Sequence, residues 1–330
     1  MEALIQKLVE AYGPSGFEGQ MRELIRPEIE PLADEISVDA MGNLIALKKG
    51  DGSGLRVMVA AHMDEIGVMV THITKEGFLQ FTNIGGVFPH TLMGNRVQFG
   101  DGTIGVIYSE RIENRGDVHP LEKHYIDIGA TSKDDCHIEV GAAAGFARPF
   151  QAQDGRLTAK SMDDRIGCVV AIEAFKQLAT TPHDVYFVFS VQEEVGTRGA
   201  EIAANAIDPD VGLAVDITPA GDIPESQFRA VGLGLGPAIK VKDTGMIAHH
   251  GLVKLMKRRA EEAGIAYQLE ILDRGSTDAR AIQIANAGTA AGCISIPTRY
   301  AHSQSETVDA ADVEGAVKLL VEILSKPIDL

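Results

Sequence analysis

Four short apolar runs in this chain stop abruptly at residues that can bind a metal ion. Each run has the length and apolar character of a buried strand. In open α/β sheets, ligands bind at the carboxyl ends of strands, so we expect the residues after the runs to meet along one edge of one sheet. The runs and the candidate residues that follow them are 57–61 (His62 and Asp64), 186–191 (Glu193 and Glu194), 211–215 (Asp216) and 293–296 (His302). A further candidate, Asp163, lies just before an apolar segment with a helical pattern.

Five of these candidates form a set of metal ligands. Two imidazoles and three carboxylates suit a borderline divalent ion such as zinc or cobalt, with manganese as an alternative. Five side chains exceed what one tetrahedral site with an open position needs, and they fit two ions that share a bridging carboxylate. The sequence therefore predicts two divalent metal ions per subunit, bound by His62, Asp163, Glu194, Asp216 and His302.

The adjacent Glu193 and Glu194 predict two carboxylates with different roles. Side chains of consecutive residues point in different directions. One of the two can therefore bind metal while the other acts as a general base towards a nearby water.

Each candidate also has a structural explanation. Asp163, together with Asp164, could cap the helix that follows, and Asp216 could begin a turn. Asp64 could be a solvated loop carboxylate, and His302 an ordinary surface histidine. It is the joint placement of these residues at the ends of strands and helices that favours a functional site.

The alternation of helix and strand patterns predicts the fold. Before residue 68 and after residue 160 the two patterns alternate, which predicts an α/β fold with a mixed, largely parallel sheet and helices on both faces. Between them, short alternating segments are separated by turn signals such as Asp101-Gly102, which predicts an inserted small all-β domain. The predicted catalytic domain therefore comprises 1–68 and 161–330, and the inserted β-barrel-like domain comprises 69–160.

Charge and cysteine content exclude several functions. The net charge is −17 and no basic block occurs, so nucleic acid and anionic membrane surfaces are not expected partners. The three cysteines lie far apart and predict neither a disulfide framework nor a thiolate zinc site, which favours a reduced, cytoplasmic protein. No apolar run is long enough to span a bilayer, and the N-terminus lacks a signal-peptide pattern.

Six segments resemble the M42 family of metallo-aminopeptidases, which includes the TET aminopeptidases and the glutamyl aminopeptidases. The resemblance covers essentially the whole chain in order. The segments are AHMDEIG (61–67), MDDRIG (162–167), QEEVG (192–196), VD (215–216), GSTDA (275–279) and YAHSQSE (300–306). Carried over by position, Asp163 would bridge the two ions, His62 and Asp216 would complete one site, and Glu194 and His302 would complete the other.

The resemblance also implies roles outside the ligand set. Glu193 would be the general base, and Asp64 would orient His62. The peptide bond between Asp163 and Asp164 would be cis. The inserted β domain would be an oligomerisation domain that builds dimers into a dodecamer, and His90 would stand in the loop of that domain that approaches the active site.

These observations predict a cytoplasmic aminopeptidase that removes N-terminal residues from short peptides. Two alternatives belong to other classes. A glycosidase with a carboxylate pair, of the endoglucanase type, needs no metal and leaves His62 and His302 unexplained. A metal-binding scaffold without catalysis would have no use for Glu193.

Overall fold

The computed structural model describes residues 1–111, 117–226 and 231–330. No helix within these ranges is both long and apolar enough to cross a bilayer. The α-helices in this part of the chain are α1 (Glu2–Val9), α2 (Gly19–Ile29), α3 (Met162–Gln177), α4 (Arg198–Ile207), α5 (His250–Glu262), α6 (Asp278–Ile284) and α7 (Ala310–Leu324).

A large mixed sheet carries the edge on which the candidate residues lie. Its strands run in the order β1-β2-β12-β3-β13-β16-β17-β11-β10, with β14 and β15 attached beside β16. The four central strands β12, β3, β13 and β16 pair in parallel, and the outer strands β1, β2, β17, β11 and β10 are antiparallel to their neighbours. The strands are β1 (Glu35–Val38), β2 (Leu44–Lys48), β3 (Arg56–His62), β10 (Gln151–Gln153), β11 (Arg156–Ala159), β12 (Asp184–Ser190), β13 (Val211–Pro219), β14 (Ala238–Lys242), β15 (Gln268–Ile271), β16 (Ala290–Arg299) and β17 (Glu306–Asp309).

Helices cover both faces of this sheet, as the alternating pattern predicts. Successive side chains of a strand point to opposite faces, so each central strand contributes to two cores. In β3, Val57 and Val59 belong to the main core that includes α3 and α7. Met58 and Ala60 belong to a second core with α4 and α6. Burial on both faces explains why these strands are almost continuously apolar.

A second, smaller sheet closes into a six-stranded antiparallel barrel and confirms the inserted all-β domain. Its own core includes Phe81, Phe99 and Phe146. The barrel strands, which pair in the order β4-β5-β8-β7-β6-β9, are β4 (Gly67–Ile73), β5 (Leu79–Ile84), β6 (Arg96–Phe99), β7 (Ile104–Ser109), β8 (His124–Asp127) and β9 (Ala143–Phe146).

The hairpin β10–β11 lies just after the barrel in the chain but pairs with β17 of the large sheet. The barrel strands therefore end at Phe146, ahead of the predicted change at residue 160. The boundaries 1–68, 69–160 and 161–330 stay predictions.

Helix limits differ from the sequence prediction in ways that local hydrogen bonds explain. Periodicity predicts a helix over 246–263, but α5 begins only at His250. The side chain of Asp243 accepts hydrogen bonds from the N–H groups of Gly245 and Met246, which hold this stretch as a turn. Helix α4 was not predicted, although its small buried residues and Ile207 lie on one face of the helix.

Candidate metal centre

Parallel pairing brings four of the predicted ligands to the carboxyl edge of the sheet. His62 ends β3 and lies in register with Ser190, the last residue of β12, so Glu194 follows only a few residues beyond. Asp216 lies in β13, the other neighbour of β3. His302 follows β16, which pairs with β13.

Asp163 reaches the same edge from the first turn of α3. Asp163 and Asp164 have non-helical backbone angles, and the peptide bond between them is cis, as the resemblance implies. The Asp163 carboxylate lies between two histidines: its Oδ1 is 3.0 Å from Nε2 of His62, and its Oδ2 is 3.3 Å from Nε2 of His302. The two oxygens of one carboxylate thus face different imidazoles.

The glutamate pair divides between the two histidines. Oε2 of Glu194 is 3.5 Å from Nε2 of His302. Oε2 of Glu193 is 3.9 Å from Nε2 of His62. Within 4 Å, each carboxylate therefore contacts a different imidazole, which agrees with the expectation that consecutive side chains point in different directions.

Among the residues that the structure describes, ligand atoms form two groups whose members all lie within 4.8 Å of one another, namely His62, Asp163 and Glu194, and His62, Asp164 and Asp216. The second group contains Asp164, which was not a predicted ligand. The Asp164 carboxylate already accepts hydrogen bonds from the backbone N–H groups of His62 (3.2 Å) and Gly167 (3.1 Å). The Asp164 carboxylate therefore joins the last residue of β3 to the first turns of α3.

Asp64 connects His62 to the glutamate pair. Nδ1 of His62 lies 3.1 Å from the carbonyl oxygen of Asp64 and 3.4 Å from its Oδ1. The Asp64 carboxylate also accepts hydrogen bonds from Oγ of Ser15 (2.6 Å) and from the backbone N–H groups of Glu193 (3.0 Å) and Glu194 (3.1 Å). One buried carboxylate thereby fixes an imidazole and the backbone of both glutamates.

Glu306 and Asp278 are buried acids of this centre for which sequence reasoning assigned no role. Glu306 accepts hydrogen bonds from the backbone N–H groups of Asp163 (2.9 Å) and His302 (2.7 Å), which joins α3 to the loop after β16. Asp278 accepts a hydrogen bond of 2.5 Å from Ser190 at the end of β12. Both residues occur in the motifs quoted above, and their position inside those motifs was the available signal.

The centre concentrates negative charge in a place with little water. Burial raises the pKa of Glu194 to about 7, that of Asp278 to about 6 and that of Glu306 to about 8. The Glu194 carboxylate in turn raises the pKa of His302 to about 11. Burial opposes ionisation of Asp163, but its contacts with His302 and His62 hold the pKa of that carboxyl below its usual range.

These residues fit a divalent cation. Buried carboxylates that repel one another become stable as anions when a cation lies between them. Oε1 of Glu194 is buried and has no hydrogen-bond partner among the described residues, so an acceptor remains free. The donors are imidazole nitrogens and carboxylate oxygens without a thiolate, the set that zinc, cobalt and manganese accept.

A cavity of about 510 Å³ opens onto the centre and gives it space for a ligand. Asp163, Glu193 and Glu194 line one part of it, and Leu272 and Arg280 line another. The cavity is therefore large enough for an amino-acid residue placed against the buried carboxylates.

The loop of the barrel between β5 and β6 lies against the centre on the side of His302. Nδ1 of His302 lies 3.0 Å from the carbonyl oxygen of Gly86. In the same loop, His90 stacks on Phe88 with ring centroids 5.8 Å apart. His90 belongs to neither ligand group found in the described ranges.

Comparison with known proteins identifies relatives over the full length of the chain. The sequence profile of the M42 glutamyl aminopeptidase family matches residues 42–319. A putative aminopeptidase of Acetivibrio thermocellus is 47% identical over 97% of this chain and 97% of its own length. A lysyl aminopeptidase of Pyrococcus furiosus is 38% identical over 99% of this chain and 98% of its own length. A solved structure of the Pyrococcus horikoshii TET1 peptidase, described as able to assemble into a tetrahedron or a large octahedral shell, matches with a TM-score of 0.90 and 34% identity over 98% of this chain and 99% of that one.

Proposed function

The chain belongs to the M42 glutamyl aminopeptidase family and is an aminopeptidase, and from this membership we propose that it removes N-terminal residues from short peptides at a centre for two divalent metal ions. The observation that carries the proposal is the position of Asp163, whose two carboxylate oxygens face His62 and His302 separately. This arrangement supports Asp163 as the ligand shared by two ions.

The proposed division of ligands follows the family resemblance, and the ligand groups of the structure overlap it only in part. His62 and Asp216 would hold one ion and Glu194 and His302 the other, with Asp163 common to both. When bound, the ions would supply Lewis acidity that polarises the scissile carbonyl and makes a water molecule more acidic. Zinc or cobalt suits the nitrogen and oxygen donors, and manganese is the alternative.

Glu193 is the proposed general base. Its side chain is 12% exposed and its Oε2 lies 3.9 Å from Nε2 of His62, while its backbone N–H donates to the Asp64 carboxylate. From there it can accept a proton from the attacking water and transfer that proton to the leaving amine. Burial raises the pKa of Glu193, which favours its holding the proton between the two transfers.

Asp64 and Glu306 would keep the reacting groups in place. Asp64 fixes the ring of His62 and the backbone of Glu193 and Glu194. Glu306 fixes the backbone of Asp163 and His302. Groups held in this way need little rearrangement at the moment of reaction, which is how oriented neighbours contribute to rate.

The proposed substrate is a short peptide with a free amino terminus, because the cavity combines acidic groups that attract an amine with the metal centre. We further propose a homo-oligomer. The related TET1 peptidase assembles into a tetrahedron, and a dimer on each edge of a tetrahedron gives a dodecamer. A cytoplasmic location is supported by the three free thiols.

The glycosidase alternative has less support. A carboxylate pair of a glycosidase needs neither His62 nor His302, yet both imidazoles are turned towards the acidic cluster. A scaffold without catalysis leaves Glu193, which lines the cavity of the centre, without a role.

Chelation followed by metal addition tests the proposed function. The protein is dialysed against a chelator until no metal remains, and turnover is measured on a panel of aminoacyl amides, on a β-glucan, and after addition of Zn²⁺, Co²⁺ or Mn²⁺. We expect turnover of the aminoacyl amides to vanish in the metal-free protein and to return with at least one of the ions. The β-glucan should not be hydrolysed under any of these conditions. Turnover of the amides that persists in the metal-free protein would contradict the proposal.

A further inference from the structure

A second cavity lies beside the metal centre, on the barrel side of His302. We infer that this cavity is the subsite for the residue that follows the scissile bond, and that it selects an aromatic or large apolar side chain there. The inference rests on the proposed aminopeptidase function and adds to it a preference at the second position of the peptide.

The two cavities adjoin. The second has a volume of about 470 Å³ and is lined by Phe88, His90 and Tyr300, together with Ala301 and His302. Ala301 and His302 also line the cavity of the metal centre. A peptide whose scissile bond lies at the centre can therefore reach both cavities, one on each side of that bond.

The position of the free amine decides which residue enters which cavity. The first cavity is lined by four acidic residues that can bind the amino group of the peptide, namely Asp163, Glu193, Glu194 and Asp216. The N-terminal residue belongs there. The rest of the peptide must then leave past His302, towards the loop of the barrel.

The lining of the second cavity matches an apolar occupant. Phe88 is 48% exposed and Tyr300 is 53% exposed, so two aromatic side chains present much of their surface to solvent. The ring of Phe88 lies 5.8 Å from that of His90 and 6.3 Å from that of His302, centroid to centroid. Among the described residues that line this cavity there is no Asp, Glu, Lys or Arg. Aromatic walls that carry no Asp, Glu, Lys or Arg side chain favour aromatic and large apolar side chains.

Hydrogen bonds on both sides of Phe88 hold the loop against the centre. Before it, the carbonyl oxygen of Gly86 pairs with Nδ1 of His302. After it, Oγ1 of Thr91 donates to the carbonyl oxygen of Phe88 (2.9 Å), and Nδ2 of Asn95 donates to Oε1 of Gln304 (3.3 Å), two residues beyond His302. The subsite is thus formed before a peptide binds, which lowers the entropy cost of binding.

Peptides that differ only at the second position test the subsite. The first residue is fixed as the one turned over fastest among the aminoacyl amides, and kcat/KM is measured for the tripeptides with Phe or Gly second and Gly third. We expect the wild-type ratio of Phe to Gly to be about tenfold, since aromatic pairs contribute about 0.5–1.5 kcal/mol beyond area burial. In Phe88→Ala the ratio of kcat/KM for the Phe peptide to that for the Gly peptide should fall to about twofold or less.

Two further variants keep the test decisive. Phe17→Ala removes another exposed phenylalanine, 38% exposed and far from His302 in the chain, and should retain the wild-type ratio. Tyr300→Asn opens the other wall of the cavity, and asparagine tolerates the left-handed backbone of this position (φ 62°). Its ratio should fall as in Phe88→Ala, so the inference does not depend on the folding of one variant.

The outcomes separate the subsite from the function on which it rests. Turnover of both peptides with equal kcat/KM in the wild type, or an unchanged ratio in Phe88→Ala and Tyr300→Asn, would overturn the subsite alone. A changed assembly mass of Phe88→Ala with an unchanged ratio would identify the cavity as a subunit contact and also overturn it. Absence of turnover with every amide and peptide would overturn the proposed function and the subsite with it.

Discussion

The carbonyl oxygen of Gly86 lies 3.0 Å from Nδ1 of His302, although 216 positions separate the two residues in the chain. This contact joins the barrel to the metal centre. It fixes the ring of His302 so that the opposite nitrogen, Nε2, faces Asp163 and Glu194. A residue of the inserted domain therefore orients a proposed ligand of the catalytic domain.

The first prediction concerns Gly86. A Cβ atom added at this position would lie 2.3 Å from Nδ1 of His302, so Gly86→Ala must displace the imidazole or the loop. We expect at least a tenfold loss in kcat/KM and weaker binding of metal, since removing a partner that orients a ligand typically costs 10–100-fold in affinity. Isothermal titration of the metal-free protein with Zn²⁺ measures this affinity.

Gly19→Ala is the matched control. A Cβ at Gly19, the first residue of α2, would have Nη2 of Arg22 at 3.8 Å as its nearest neighbour, an ordinary contact. Its activity and metal affinity should equal those of the wild type. Equal metal affinity in Gly86→Ala and Gly19→Ala would contradict the role of the barrel loop.

The second prediction concerns Glu193. Glu193→Gln keeps the shape of the side chain but removes the base, so kcat should fall by a factor of about 10²–10⁴. Metal affinity should stay within a few-fold of the wild type, because Glu193 is not among the proposed ligands. Steady-state kinetics and metal titration on the same preparation check both expectations. Turnover of Glu193→Gln at the wild-type rate would contradict the proposal that Glu193 is the general base.

The third prediction concerns Asp64. Its carboxylate accepts the backbone N–H groups of Glu193 and Glu194 on different oxygens, and an asparagine can offer only one acceptor oxygen. We expect Asp64→Asn to lower metal affinity by about 10–100-fold, measured by titration with Zn²⁺.

Asp39→Asn provides the comparison for Asp64→Asn. Asp39 likewise accepts backbone N–H groups, from Met41, Gly42 and Asn43, but in the turn between β1 and β2. These three groups share Oδ1, so the variant should lose the hydrogen bond from Nδ2 of Asn43 to Oδ2 (2.6 Å), and with it stability, without losing metal affinity. A similar affinity in both variants would show that Asp64 supports the fold and not the centre.

The fourth prediction is a dependence of stability on pH in the metal-free protein. Burial raises the pKa of Glu194 to about 7 and that of Glu306 to about 8, and the Glu194 carboxylate raises the pKa of His302 to about 11. All three groups hold protons more tightly in the folded state than in the unfolded state. The free energy of unfolding should therefore fall as pH rises from about 5 to 8.

Metal binding acts in the opposite direction, because ligands must be deprotonated and affinity rises with pH. The difference in Tm between the metal-loaded and the chelated protein should widen between about pH 5.5 and 8. In the chelated protein, Glu306→Gln should flatten the curve because it removes one of the groups. A Tm difference that stays constant or narrows would contradict the charge arrangement of the centre.

Some of the residues at the sheet edge could be predicted from the sequence. Apolar runs that end at His62, Glu193 and Asp216 are readable because strands buried on both faces carry few polar residues, so a ligand at the end of a run is conspicuous. The parallel order of the central strands then places those ends together.

Contacts between distant segments could not be predicted in the same way. The Gly86–His302 hydrogen bond depends on how the barrel docks onto the sheet, and no local pattern encodes that docking. The role of Glu306 is also hidden, since its carboxylate binds backbone N–H groups and any residue type could supply those.

A crystal structure of the protein loaded with zinc, with anomalous data collected at the zinc absorption edge, tests directly whether Asp163 is shared by two ions. We expect two peaks about 3.5–4 Å apart, both within bonding distance of Asp163. One peak should contact His62 and Asp216, and the other Glu194 and His302. A single peak, or a pair that does not share Asp163, would rule out the proposed two-metal centre.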